Sequence, residues 1–321
     1  MIVIDYNQKT EYSTGEFSDI CPNNPLFIFC HPEDILPLSR ILSLDESTVR
    51  DCVDIDESVR FTAFDGYDFA SLVYMEMVGE TLLFKELNLY ASRNYFILVM
   101  PKHNSLKLQA LEEKIIGTAR GFLVNWQINS INPEWANQLF FIFFNLLVVY
   151  FSDLLELLED KMQELSGQIT HNMPEESFEA MHNLRTMAYS VKKVLRAFSY
   201  MGLQILCNEN EIICKKKLFL FRNLDMRLRK LCDFAESVYG LSTELLHTYD
   251  SKVAQRTNNI VNKLTSITLF FGPLTVITGI YGMNFAFMPE LTYTWGYPLS
   301  LLGMAIVSGI IYIILKKKKW L

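Results

Sequence analysis

No catalytic signature is present in this chain. It has no phosphate-cradling glycine loop, no HExxH, no GxSxG and no EF-hand loop, and its five histidines, at 31, 103, 171, 182 and 247, show no ligand spacing. An enzyme is not expected, nor is an organic cofactor. Six cysteines, at 21, 30, 52, 207, 214 and 232, form no CxxC pair, which argues against a zinc finger or a redox couple and for reduced thiols as filler. Basic residues are outnumbered, 29 Lys and Arg against 36 Asp and Glu, leaving a net charge of −7. That balance lacks the basic footprint of a nucleic-acid binder and suits cations near the surface. Met1 to Tyr12 lacks the basic-then-apolar order of a secretory leader.

The most telling absence is of charge within two stretches. Neither Leu264 to Tyr281 nor Leu299 to Leu315 holds a charged side chain, and each approaches the roughly 20 apolar residues that cross a bilayer. Lys252, Arg256 and Lys263 precede the first, and Lys316, Lys317, Lys318 and Lys319 follow the second, whereas Asn284 to Pro298 carries no Lys or Arg. The positive-inside rule then puts both termini in the cytoplasm and the loop outside; the expected location is the plasma (inner) membrane. Trp295, Tyr297 and Trp320 suit the interfaces. A mean hydropathy of only +0.16 fits a large soluble body on a short anchor. Two spans enclose no pore, so a conducting pathway requires several copies.

The expected fold is an α+β membrane protein. Leu26–Phe29, Phe69–Met77, Thr81–Leu89 and Tyr95–Met100 read as strands, and Pro32–Leu42 and Ser47–Cys52 as helices, giving a cytoplasmic α/β domain over 1–132. A helical hairpin is expected over 133–210: the apolar run Leu139–Phe151, at roughly 13 residues, is too short for a span and reads as buried. A second helix follows from about Glu175 to Cys207. From Ile212 the pattern predicts one helix to Tyr281, with a stalk over 211–262 and the first span over 263–283; at about 1.5 Å per residue it reaches on the order of 100 Å. An external loop (284–297), a second span (298–315) and a basic tail (316–321) complete the chain. The stripe Leu224, Leu228, Leu231, Ala235, Val238, Leu245 and Tyr249 needs cover, either from the same helix of neighbouring copies or from the preceding hairpin.

Within the first span, Thr265, Thr268, Gly272, Thr275 and Gly279 recur at steps of three and four, making one face small and weakly polar. Close helix packing is the plain explanation; a pore lining is the sharper one. Asn258 extends the stripe inward, and Val261 and Leu264 supply an apolar constriction that gates by dewetting. Pro273 removes one helix hydrogen bond within the span.

Asn258 to Leu321 resembles the C-terminal membrane region of the CorA family of magnesium channels. The resemblance lies in Gly282-Met283-Asn284, Pro273-Leu274-Thr275, Met288-Pro289-Glu290-Leu291, Trp295-Gly296-Tyr297-Pro298 and the Lys316 to Leu321 tail, in that setting between two spans. It implies a homopentamer in the lipid bilayer, with the first span lining the pore and a ring of Asn284, supported by Gly282, Met283 and Glu290, receiving Mg²⁺ in its water shell. Such a ring suits an ion that gives up water reluctantly. The resemblance further implies closure by intracellular Mg²⁺ bound between cytoplasmic domains, with Asp45, Glu46, Asp51, Asp54, Asp56, Glu57, Asp65, Asp68 and, on the stalk, Asp225 as candidate ligands. Lys316 to Lys319 would form a basic collar at the inner mouth or a headgroup anchor. Gly272 stands where many members have a bulky Met, Ala286 where some have an acid, and Asn223 at a regulatory aspartate position. Co²⁺, Ni²⁺ or Zn²⁺ as the cargo, and a membrane-tethered scaffold or sensor without transport, remain the alternatives.

Overall fold

The computed structural model of the chain describes residues 1–13, 20–54, 58–128, 135–171, 177–283, 288–289 and 293–318. They divide into two units, Met1–Leu245 and Leu246–Leu321.

The first unit is built on a seven-stranded sheet of β1 (Ile2–Asp5), β2 (Thr10–Ser13), β3 (Leu26–Cys30), β4 (Arg60–Phe64), β5 (Tyr67–Val78), β6 (Thr81–Ser92) and β7 (Tyr95–Val99), in the order β2-β1-β3-β7-β6-β5-β4. Among the described strands only the β3–β7 pairing is parallel. The β4–β5 and β5–β6 hairpins turn over Asp65-Gly66 and Gly79-Glu80, where Gly66 and Gly79 take positive φ at no steric cost. Helices α1 (Pro32–Leu42) and α2 (Glu46–Val53) cover one face of the sheet, burying Ile35, Leu38, Val49 and Cys52 against Leu26, Ile28, Phe69, Tyr90 and Ile97. The other face meets α3 (Leu106–Ile128) and α4 (Trp135–His171), where Tyr6 donates to the Ala119 carbonyl at 3.0 Å and lies 4.8 Å from the Trp135 ring. Helices on both faces explain why β3 and β7 are buried at every position.

The strands and short helices expected from sequence are present. Three strands and one long helix were not legible. β1 and β2 have four residues each and β4 is a partly exposed edge, too little pattern to stand out. In α3 the buried stripe Leu108, Ile115 and Ala119 is diluted by Gly117, Gly121 and exposed Val124.

α4 runs antiparallel to α5 (Ser177–Cys207): Phe151 meets Phe198, and farther along Leu165 and Leu184 line a common cleft. Leu139–Phe151 is buried as expected, with Leu139, Phe143 and Phe144 fully covered. α6 (Leu218–Tyr281) begins later than expected. Residues 208–214 are irregular, with Asn208 and Glu211 at positive φ, and a 3₁₀ turn at Lys215–Lys217 leads in. Asn208 stabilises that segment by bonding both backbone groups of Ile213. The stripe on α6 left open by sequence is covered by its own chain: Leu224, Leu228, Leu231, Ala235, Val238 and Leu245 are all buried. Against it lies α5, through Lys192–Glu236 at 2.7 Å and Tyr189–Tyr239 at 5.9 Å between centroids. Among the cysteines, Cys30 and Cys52 are core residues, and burial pushes the Cys52 thiol up to about 12.

In the second unit α6 continues through Pro273 without a break to Tyr281, and α7 (Gly296–Lys317) follows. Three helices among the described residues are long and apolar enough to cross a membrane. Burial separates them: 44% of the apolar window of α4 is covered by the chain, against 6% for α6 and for α7. α4 is therefore core, whereas the apolar surfaces of α6 and α7 require lipid or another copy.

Candidate pore and ion-entry site

The C-terminal turn of the first span is tight. The Gly282 amide donates to the Thr278 carbonyl at 2.9 Å and the Met283 amide to Ile280 at 3.2 Å. A Cβ on Gly282 would stand 3.2 Å from the Thr278 oxygen, so a larger residue would crowd the last carbonyls. Met283 is half exposed. Asn284 and Glu290 lie outside the described residues, as does Ala286. Beside this turn, a cleft of about 440 Å³ is lined by Thr278, Tyr281, Gly282, Tyr293, Tyr297 and Ser300, among others.

Along the span, Thr268 donates to the Leu264 carbonyl at 3.0 Å and Thr275 to Phe271 at 2.9 Å, each one turn back. A hydroxyl has one hydrogen and two acceptor lone pairs. With the hydrogen used inside the helix, what each exposed threonine offers outward is an acceptor. That polarity matches the outward-pointing hydrogens of water held by a cation. A Cβ added at Gly272 or Gly279 would meet no atom within 4 Å, so packing within the chain does not require glycine there. Asn258, Val261 and Leu264 are exposed and Thr265 half-buried.

The candidate regulatory acids are scattered. Among the described residues no three His, Cys, Asp or Glu side chains cluster as a metal site would require. Asp45 caps α2, accepting from the Ser47 amide and hydroxyl, and those bonds hold its carboxyl below the usual range. Glu46 reaches Arg50 at 3.8 Å, and Asp51 pairs with Arg60 at 3.1 Å. Asp68 is buried on β5, where burial raises its carboxyl to about 6 despite a 2.7 Å bond from Asn210 Nδ2, which also donates to the Phe64 and Tyr67 carbonyls. Asp225 is buried on α6; Oδ2 accepts from Arg229 at 2.9 Å, while Oδ1 lies without a hydrogen-bond partner at 2.9 Å from where a Gly202 Cβ would be. Asp54 and Asp65 are exposed, and Asp56 and Glu57 lie outside the described residues.

At the other end, Lys316 and Lys317 occupy the last turn of α7, favourably placed for its dipole, and Lys318 caps it. Lys319 lies outside the described residues. Sequence reasoning passed over Asn210 and Gly202. Asn210 gave no signal beyond a turn, but a glycine in mid-helix, as at 202, marks close approach.

The family model for the CorA-like Mg²⁺ transporter protein matches residues 28–317. The chain belongs to the CorA family. It is 31% identical over 191 residues to the cobalt/magnesium transport protein CorA of Thermotoga maritima, a match covering 60% of this chain and 54% of that one, so it spans only about half of that relative's length. To the magnesium transport protein CorA of Bacillus subtilis it is 26% identical over 259 residues, covering 78% and 75%. The complete structure of the CorA magnesium transporter from Methanocaldococcus jannaschii superposes with a TM-score of 0.80 over 100% of this chain and 98% of that one, at 20% identity, a likeness of fold. CorA membership makes this a membrane protein of a transport family, not an enzyme family, as the sequence indicated.

Proposed function

We propose that this CorA-family chain forms a homopentameric channel of the plasma membrane through which hydrated Mg²⁺ enters the cell. The observation that carries the reading is the stripe of α6 on which Thr268 and Thr275 spend their hydrogens on the helix and turn acceptors outward, with Gly272 between them and Gly279 beyond. Five such stripes around an axis make a lining that holds an ion through its waters without stripping them, which suits the slow dehydration of Mg²⁺. A ring of Asn284 beside Gly282 and Met283 receives the ion outside, aided by Glu290 and by the negative ends of converging helices. Asn258, Val261 and Leu264 form the inner constriction. Self-association is supported by the stretch before the span, where Val253, Ile260 and Val261 are exposed, and by exposed Leu264 at its start. No ATP site is needed: for a divalent ion the potential supplies about 4.6 kcal/mol per 100 mV.

Closure follows binding of intracellular Mg²⁺ between cytoplasmic domains of neighbouring copies, since the described acids of one chain form no cluster. Asp54 and Asp65, exposed and uncommitted to an ion pair among the described residues, are better placed for this than Asp45, Asp51, Asp68 or Asp225. Co²⁺ is the second reading, supported by the name of the Thermotoga maritima relative, a cobalt/magnesium transport protein.

Flux into proteoliposomes tests both. With Asn284→Ala, Mg²⁺ flux is expected to fall at least tenfold; unchanged flux would remove the entry ring, and wild-type flux of Co²⁺ without Mg²⁺ would change the cargo. No flux of any ion would favour a tethered scaffold.

A further inference from the structure

Between α6 and α7, at the lysine-bearing end of the spans, lies a groove of about 520 Å³ whose walls are almost wholly apolar: Ile267, Phe270 and Phe271 from α6 and Tyr312 and Leu315 from α7. Lys263 forms one lip. Lys316 follows the lining residue Leu315 directly, and its Nζ lies 6.0 Å from the centroid of the Tyr312 ring that also lines the groove. The groove runs along about 12 Å of α6, at 1.5 Å per residue.

Three features decide what occupies it. The first is side. At roughly 100° per residue, Lys263, Ser266, Ile267 and Phe270 centre on the face of α6 opposite the Thr268–Gly272–Thr275 stripe, so the groove opens away from the proposed pore. The second is charge. After Asp250 the sequence contains only one carboxylate side chain, Glu290, which lies in the loop beyond the far ends of both spans. Along α6 the carboxylate nearest before Lys263 is Asp250, thirteen residues or about 20 Å of helix away, so no acidic side chain lines the groove beside Lys263, and the long lysine stems suit heads held at the edge of the hydrocarbon. The third is surface: Ile267, Phe271 and Tyr312 are each at least half exposed, and apolar walls beneath basic lips match an acyl chain beneath a phosphate.

We infer that this groove is a binding site for an anionic phospholipid of the cytoplasmic leaflet, its phosphate between Lys263 and Lys316 and one acyl chain along Ile267 and Phe270. The site rests on the membrane orientation proposed above but not on the identity of the ion. A bound lipid neutralises lysines that otherwise repel one another, and ties the inner ends of the two spans together. Basic pockets between transmembrane helices on the cytoplasmic side recognise anionic headgroups by the same physics.

The test is native mass spectrometry of the full-length protein released from detergent after incubation with dioleoylphosphatidylglycerol or dioleoylphosphatidylcholine. The wild type is expected to retain phosphatidylglycerol preferentially, and Lys263→Gln to reduce that preference roughly fivefold, whereas Lys263→Arg preserves it. Ile267→Trp, which fills the groove, lowers retention of phosphatidylglycerol with the number of subunits unchanged. Raising salt on the wild type should release phosphatidylglycerol and not phosphatidylcholine, a readout independent of any variant. Equal retention of the two lipids, or retention indifferent to Lys263→Gln and to salt, overturns the site. A change in subunit number in Ile267→Trp with lipid retention intact makes the groove a contact between copies and overturns it also. Ion flux on the same preparation separates failure of this site from failure of the transport reading.

Discussion

Asp68 offers the sharpest quantitative test, because the same carboxylate is both a candidate Mg²⁺ ligand and a buried structural group. It is 4% exposed, and removal from water raises its carboxyl from the ordinary 3.8 to about 6, with the Asn210 bond pulling the other way. The folded state thus favours the protonated form. The stability this confers is fully present below about 3.8 and is lost as pH rises through about 6. At ~1.36 kcal/mol per pH unit the ceiling is about 3 kcal/mol; water at the edge of the 208–214 loop screens part of this, leaving about 1–2 kcal/mol.

Asp68→Asn removes the titration and keeps an oxygen for Asn210 Nδ2. The variant should melt with the wild type near pH 4 and above it at pH 7.5, by about 2–8 °C for a unit of this size. Thermal melts of the two proteins side by side across that range measure the difference, in which all other titrating groups cancel. A variant less stable than wild type at pH 7.5, or a gap that does not change with pH, would refute the reasoning. Mg²⁺ should raise the melting temperature of both proteins equally. If Asp68→Asn abolishes that rise, Asp68 is a ligand and its burial in one chain is opened by assembly.

Two further outcomes follow from packing and from the lining. Gly202→Ala places a methyl 2.9 Å from Asp225 Oδ1 and 3.3 Å from Leu228 Cδ1; overpacking of about 1–3 kcal/mol, less up to about 1 kcal/mol of helix propensity, predicts net destabilisation. A rise in melting temperature would show that α5 and α6 part without cost. Thr275→Val should cut ion flux at least tenfold when several copies each lose an acceptor worth ~1 kcal/mol, whereas Thr278→Val, about 60° round the helix from Thr275 and about 100° from the centre of the stripe, with the equivalent hydrogen bond one turn back to Leu274, should change it less than twofold. Equal effects would mean that the hydroxyls serve the helix and not the ion.

The membrane part of this fold was legible because its signal is one-dimensional. A run of residues without charge, flanked by lysines on one side only, needs no partner to be interpreted, and α6 and α7 stand where that signal put them. The 64-residue α6 was likewise readable from its unbroken periodicity, save for its start, where Asn208 holds Ile213 in an irregular turn that periodicity cannot register. Tertiary competition was not legible. The stripe from Leu224 to Leu245 fits a neighbouring subunit and an antiparallel α5 equally well by pattern, and contacts such as Lys192–Glu236, Tyr189–Tyr239 and Gly202 against Asp225 decide for α5. The acids show the same limit more strongly. Sequence counts Asp45, Asp51, Asp68 and Asp225 as equal candidates, but a cap, an ion pair, an amide clasp and a buried contact commit each of them within the chain.

That contrast sorts the molecule by satisfaction. In the first unit nearly every apolar stripe is covered and most candidate acids have partners of their own, so its residues are explained by the chain that contains them. In the second, Thr268 and Thr275 turn acceptors to empty space, Gly272 and Gly279 face nothing within 4 Å, and Val261, Leu264 and Ile267 are bare. Exposed apolar surface on this scale is unfavourable for a lone chain in water. The bare groups of this unit become favourable in three surroundings: lipid against α7, an anionic headgroup against Lys263 and Lys316, and further copies around the threonine stripe. Each surrounding accounts for a different set of residues, and the stripe is the set that lipid serves worst, since hydrocarbon leaves its acceptors unpaired. Water and a hydrated cation serve it best, which is why the face of α6 least explained by one chain is the face on which transport is argued.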